Sequence, residues 1–306
     1  MVDITFLGTG GTMPMPDRHL SSVLMNIGGK KVLLDCGEGT QIAIRSMELG
    51  FKAIDVICIS HFHGDHTAGI PGLLATIANS GREEPLTIIG PKGIDDVVNG
   101  LRVIVPYLPY KVNTVEASQN EIELWENLKV ISLELDHTSQ CVGYRFTFKR
   151  NPKFSVEEAE KNNIPKNYWS KLQKGNTIRV ENKIFTPDMV LGEERQGIDI
   201  SFITDSRPSI AIAKFIEKSD LLICEGTYGD DNDIEKAIIN KHMTFREAAK
   251  LAREGKVKKL ILTHFSTAMV EPDMYLSNAK DEFENTILGS DGLKDTLSFI
   301  ENHEHI

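Results

Sequence analysis

The sequence predicts an α/β layered protein. Short β-branched runs alternate with helix-period segments along most of the chain, and no fixed-period repeat overlies them. The first strand is expected at 3–7, where the chain opens into Val2-Asp3-Ile4-Thr5-Phe6. Further strands follow at 22–26, 31–35, 56–60, 86–89, 130–134, 143–148, 200–204, 221–225 and 259–263, each a short apolar run bounded by turn residues. Helices are expected at 41–49, 69–79, 209–217, 245–254 and 272–287. The fourth is signed at its start, because Thr244 precedes Phe245-Arg246-Glu247 and sets a cap with glutamate at the third position. Between 149 and 175 the pattern fails: Pro152, Pro165 and many Asn and Lys residues break any core period, so this segment reads as a surface insertion.

With 306 residues the chain can bury one large core or two modest ones. Hydrophobic residues at 41%, charged residues at 25% and a mean hydropathy of −0.20 exclude a collagen, a coiled coil and wholesale disorder. Apolar runs fall far short of the ~18 to 20 residues that cross a bilayer, so no membrane span is expected. The start carries no signal-peptide pattern, which points to the cytoplasm. Cys36, Cys58, Cys141 and Cys224 are scattered and form no C-x-x-C pair, so they read as buried reduced thiols. A net charge of −10 argues against holding nucleic acid through overall charge. Charge is uneven, however. The 149–175 segment carries a net +4 and an aromatic pair, Tyr168-Trp169, on a body that carries the remaining −14. Two readings stand for it: a handle for a polyanion, or a solvated loop whose aromatics pack on the surface.

The chemistry concentrates in Ser60-His61-Phe62-His63-Gly64-Asp65-His66, directly after the run Asp55-Val56-Ile57-Cys58. Imidazole and carboxylate are ligands for zinc, manganese and iron, and four of them fall within six residues. His61 and His63 face the same way on an extended segment and can share one ion. Asp65 and His66 follow a turn at Gly64 and can address a second. Further ligands are expected at the ends of later strands, where loops converge on one edge. His137, Asp205 and His264 each satisfy that rule.

These residues resemble the metallo-β-lactamase superfamily in their order H-x-H-x-D-H, then His, Asp and His. The longer match is similar to its ribonuclease Z branch, the tRNA 3′-processing endoribonucleases. It runs through Gly8-Thr9-Gly10-Gly11, Leu34-Asp35-Cys36-Gly37-Glu38-Gly39-Thr40-Gln41, 60–74, Asp205-Ser206-Arg207-Pro208 and Leu262-Thr263-His264. The resemblance implies a single αββα sandwich over 1–306, two zinc ions at one edge (or manganese or iron), a homodimer, and precursor tRNA or another RNA as substrate. It assigns His61, His63 and His137 to one ion, Asp65, His66 and His264 to the other, and Asp205 to both. A carboxylate bridge suits two divalent cations ~3.5 to 4 Å apart. Asp65 is also expected to orient the attacking water, and His242, positioned by Glu225, to assist the leaving oxygen. Asp35 either orients a ligand histidine or caps the following helix.

Three departures bear on substrate. The family's His-Glu-Ala-Thr reads Cys224-Glu225-Gly226-Thr227, while its His-Ser-Thr survives as His242-Met243-Thr244; there His242 is also simply the residue near a helix cap. The P-x-K-x-R-N loop that meets the tRNA end keeps only its proline and Arg18 within Pro14-Met15-Pro16-Asp17-Arg18-His19. The 149–175 segment holds the place of the family's tRNA-gripping arm, with Lys166, Lys171 and Lys174 as phosphate contacts, but Pro165-Lys166-Asn167-Tyr168 replaces the Gly-Pro-rich tip. The leading expectation is a dinuclear zinc phosphodiesterase trimming tRNA 3′ trailers to leave a 3′-hydroxyl. The alternatives are a hydrolase of a small phosphodiester or other ester, and a non-catalytic metal protein that binds RNA or a partner.

Overall fold

Alternate residues of single strands enter different buried clusters, and this decides the architecture. In β1 (Val2–Gly8), Val2, Ile4 and Phe6 pack into one cluster and Leu7 into another. A strand apolar on both faces must be covered on both. The computed structural model describes residues 1–299 apart from Ser118, Asn151, Asn182 and Glu194, and among these residues it builds two seven-stranded sheets. His303 and His305 lie outside the described residues.

The first sheet runs from β1 through β2 (Ser22–Ile27), β3 (Lys30–Leu34), β4 (Ile54–Cys58) and β5 (Leu86–Gly90) to β6 (Val112–Glu116), with β16 (Lys294–Leu297) on the other side of β1. The second places β7 (Ile122–Trp125), β8 (Leu128–Leu135) and β9 (Cys141–Arg150) beside β12 (Arg195–Ile203), β13 (Leu221–Glu225), β14 (Leu260–Thr263) and β15 (Thr286–Leu288). Phe6, Met25, Val32 and Leu34 of the first sheet meet Tyr144, Phe146, Ile200 and Ile223 of the second in the central core. Helices Thr40–Ser46, Ile70–Asn79 and Ile94–Leu101 cover the outer face of the first sheet, and Ile210–Phe215 and Phe245–Glu254 that of the second. The layers are α, β, β, α.

Strands β3 to β6 run parallel, as do β12 to β15, so the loops leaving their ends gather at one edge of the sandwich. Backbone bonds stitch the two sheets there: Phe265 N donates to Thr9 O and Gly11 N to Phe265 O, while Val142 N donates to Ser60 O.

Two expectations change. The helix expected over 272–287 is a 3₁₀ turn Pro272–Tyr275 and a short helix Leu276–Lys280, after which β15 pairs in parallel with β14; sheet pairing claims Ile287 and Leu288. The insertion is longer than 149–175 and has a core. Between β9 and β12 it forms helices Val156–Lys161 and Lys166–Gln173 and a hairpin of β10 (Ile178–Val180) and β11 (Lys183–Phe185), closed over Ala159, Ile164, Leu172, Phe185 and Val190. Helices this short show little period in sequence. Tyr168 stacks on Phe185, and Trp169 packs on Phe154 while its Nε1 donates to Ile164 O, so the aromatic pair serves the arm's own core. The arm leaves the body at the end of β9 and returns at the start of β12, the opposite end of these strands from Asp205.

Candidate metal centre

The candidate ligands stand where strands end. His61 and His63 follow β4, His137 follows β8, Asp205 follows β12 and His264 follows β14. The turns that aim them are strained: Asp35, Asp205 and His264 have φ of 54°, 48° and 59°, a region most side chains avoid. Such strain costs on the order of 1–3 kcal/mol per residue and persists because the surrounding structure holds it. Close approach matters as well. A Cβ on Gly11 would lie 2.5 Å from Cε1 of His264, so only glycine lets this loop cover that ring.

Ligand atoms converge in two trios. His61 Nε2 lies 2.9 Å from His63 Nδ1, which lies 3.4 Å from His137 Nε2. On the other side His66 Nε2 is 3.2 Å from His264 Nε2, and both are 3.5 Å from Asp65 Oδ2. Asp205 spans them. Its Oδ2 is 3.6 and 3.7 Å from His61 and His137, and its Oδ1 is 3.3 and 3.5 Å from His264 and His66. Nitrogens ~2.0–2.1 Å from one tetrahedral ion stand about 3.3–3.4 Å apart, so these spacings fit shared cations. Both trios, each with its Asp205 oxygen, therefore pass the test of holding a divalent metal.

Hydrogen bonds behind the rings fix which nitrogen faces inward. Asp35 accepts from Ser60 N at 2.7 Å and from Ser60 Oγ at 2.8 Å, and its Oδ2 lies 2.7 Å from His66 Nδ1. His66 thus keeps Nδ1 protonated and turns Nε2 to the centre. Asp35 orients a candidate ligand; the following helix has Gly39 at its cap with no side-chain bond. Ser60 Oγ is 3.0 Å from His61 Nδ1, Thr227 Oγ1 is 3.0 Å from His264 Nδ1, and Lys241 O is 3.3 Å from His137 Nδ1. Asp65 Oδ2 accepts from Thr12 N at 2.7 Å. Sequence reasoning left Ser60 and Thr227 without these roles, although both lie in stretches that carry the family resemblance.

Burial of His61 pushes its ring far down, to about 2, with the neighbouring His66 adding to the effect. Asp205 goes the other way from what burial dictates: His264, His66 and His61 outweigh desolvation and hold it well below the carboxylate range. Such crowding of nitrogens around a fully ionised carboxylate suits cations better than protons.

Beside the trios sits His242, its ring 5.2 Å from His137 and 5.5 Å from His264. Its Nδ1 is 3.2 Å from Glu225 Oε2. Glu225 is wholly buried and is held by Ser206 N at 2.6 Å, Met243 N at 3.1 Å and Thr227 Oγ1 at 2.5 Å. Burial opposes a charged His242, but the Glu225 carboxylate outweighs it and brings the ring up to about 9. The capping box of Thr244 and Glu247 is also present, and Arg207 binds both Glu247 and His242 O, so the cap anchors this histidine's backbone. Alternation along β13 settles the departure at Cys224: Leu222 and Cys224 face the helices, and Glu225 turns to the centre. Gly226 lets the Phe245 ring approach, since a Cβ there would lie 2.7 Å from it.

The remaining candidates lie apart. Arg18 donates to Met269 O at 3.0 Å and Val270 O at 3.2 Å and lies over Phe265, bracing the loop after His264. Lys166, Lys171 and Lys174 are exposed on and just after the arm's second helix. Over 152–193 the arm carries seven basic and six acidic residues, so its positive charge is confined to part of its length.

Fold and site together define a metallo-β-lactamase-fold hydrolase that depends on a divalent metal. The chain is 56% identical to ribonuclease Z of Clostridium beijerinckii (99% of this chain and 100% of that protein covered) and 53% identical to that of Clostridioides difficile (98% and 100%). Among solved structures it resembles the short form of human tRNase Z, at 26% identity and a TM-score of 0.70 over 97% of this chain and 100% of that one. It resembles in fold the metallo-β-lactamase fold protein YhfI of Bacillus subtilis, at 18% identity and the same TM-score of 0.70 over the same 97% and 100%. Residues 2–158 match the family model described as Anti-Pycsar protein Apyc1. The chain belongs to the ribonuclease Z family.

Proposed function

We propose that this chain is a metal-dependent endoribonuclease that removes 3′ trailers from precursor tRNA, leaving a 3′-hydroxyl on the tRNA and a 5′-phosphate on the trailer. Family membership supports the activity and the substrate class. The observation that carries the chemistry is the pair of ligand trios joined by Asp205 with the His242–Glu225 pair alongside. His61, His63 and His137 would hold one zinc, Asp65, His66 and His264 a second, and Asp205 would offer an oxygen to each. Bound there, the cations supply an acidified water and Lewis acidity toward the phosphate.

The chain's own groups do the rest. The Asp65 carboxylate orients the attacking water. Glu225 occupies Nδ1 of His242 and keeps the ring charged near neutral pH, which leaves Nε2 to protonate the departing ribose 3′-oxygen. Lys166, Lys171 and Lys174 hold phosphates far from the cut, and Arg18 shapes the loop beside the centre. The body over 1–306 works as a single metallo-β-lactamase-fold domain in a cytoplasmic homodimer. No helix among the described residues is long and apolar enough to cross a membrane.

A gel assay on precursor tRNA, run beside a chromogenic phosphodiester, tests this reading. Cleavage of the tRNA with 3′-hydroxyl and 5′-phosphate ends is expected. A 2′,3′-cyclic phosphate would mean that the RNA's own hydroxyl attacked, and hydrolysis of the chromogenic ester alone would move the substrate to small phosphodiesters.

A further inference from the structure

A second cavity of about 270 Å³ shares a wall with the metal centre. That wall is Thr227, whose hydroxyl touches both His264 and Glu225. Tyr228 and Tyr275 line the cavity, together with Ser266, Met269, Asp230 and Asp233. Both aromatic rings are half-buried. The Tyr228 hydroxyl accepts from Asn240 Nδ2 at 2.7 Å, and the ring lies 6.4 Å from that of His242. Tyr275 lies close over Gly229, where a Cβ would come within 2.5 Å of its ring. Two further apolar side chains, Val270 and Met274, stand exposed in the same loop.

We propose that this cavity is the seat of the nucleobase whose ribose 3′-oxygen leaves, stacked against Tyr275 beside the metal centre; the assignment of that side of the cut rests on the ribonuclease reading above. Three observations support it. Aromatic faces and exposed apolar groups next to a site for a polyanion suit base planes, which stack on any aromatic surface. The lining does not favour a phosphate: Lys236, which also lines the cavity, is already paired with Asp233 at 2.6 Å, and Asp230 adds a further negative charge. Asp230 Oδ1 already accepts from Asn232 N and Nδ2, and Asp233 Oδ1 from Lys236 Nζ. A carboxylate has two oxygens, so each residue keeps acceptor capacity for a base's exocyclic amino group, which cytosine, adenine and guanine carry and uracil lacks. Position decides the side of the cut, because the cavity adjoins Thr227 and Tyr228, which flank the proposed proton donor His242.

The test is equilibrium binding of 3′-CMP, 3′-UMP and inorganic phosphate to the protein as purified with its metals, which stands apart from whether precursor tRNA is cut. Wild type and Tyr275→Phe are expected to bind 3′-CMP at least 10-fold more tightly than phosphate, the scale of one base stacked on one ring, and more tightly than 3′-UMP. Tyr275→Ala is expected to lose that advantage while its affinity for phosphate holds. Gly229→Ala, which displaces the ring by crowding it, should follow Tyr275→Ala. Equal weakening of 3′-CMP and phosphate in Tyr275→Ala, or an undiminished preference for 3′-CMP in that variant, overturns the proposal. A precursor tRNA abasic at the nucleotide 5′ of the cut gives the second reading: it should be cleaved equally well by wild type and Tyr275→Ala. A larger loss in the variant on that abasic RNA counts against stacking.

Discussion

Asp35 Oδ2 stands 2.7 Å from Nδ1 of His66, and neither side chain is exposed to solvent. The two residues are brought together by β3 and the turn after β4, and their contact gives His66 one tautomer and one orientation. A carboxylate outside the two trios thereby orients a candidate ligand.

Replacing that carboxylate is expected to weaken metal binding rather than abolish the fold. In Asp35→Asn the affinity for metal should fall by roughly 10- to 100-fold, the usual effect of losing the partner behind a ligating histidine. Competition with a chelator of known affinity measures it, and activity should return at higher metal concentration. An affinity equal to wild type would remove Asp35 from the centre's support.

Asp205 presents one carboxylate oxygen to each trio. Metal analysis of the purified protein should approach two equivalents per chain, with zinc foremost and manganese or iron as the other outcomes. Asp205→Ala should lose most of one or both equivalents, because two neighbouring cations need an anion between them. Wild-type protein that is active with no metal would end this account.

His242→Ala should lower the rate of RNA cleavage by about 10²-fold, the scale of one proton-transfer group, with metal content intact. The pH profile carries the sign. Since Glu225 raises the His242 ring to about 9, the charged donor is present below that value and is lost as pH rises through it. Glu225→Gln removes the raising influence, so the alkaline limb of kcat should move to lower pH. A limb unmoved by that substitution assigns it to another group.

Replacing 152–193 by a short Gly-Ser link should raise KM for precursor tRNA and leave a small chromogenic phosphodiester nearly unchanged, because a remote handle helps capture without touching the bond that breaks. Raising salt should weaken tRNA binding steeply in the intact protein and less in the shortened one. The narrower substitution of Lys166, Lys171 and Lys174 by alanine should reproduce most of the effect, since without them the arm carries four basic and six acidic residues and turns net negative. Equal losses on both substrates would show the arm to be structural.

The seven ligand candidates were legible in the sequence because each has a local signature: four are packed into 61–66, and the other three sit where a short apolar run ends. Strands with strong runs, such as 31–35 and 221–225, were legible for the same reason, and so was the helix capped by Thr244. Local spacing alone suggested that His61 and His63 share an ion, but the assignment of His137 and His264 to different trios depended on resemblance until distances separated them. Tertiary structure alone decided the rest. Whether Asp35 caps a helix or holds His66, whether position 224 faces the core or the metals, and whether Tyr168 and Trp169 project or pack all depend on backbones brought together from distant parts of the chain. Strand β15 and the arm's two short helices escaped sequence reading because they are too short to display a period, and only pairing with β14 or closure over Ala159 and Leu172 makes them regular. Residue type determines what a side chain can bind; the fold determines which partner stands within 3 Å of it.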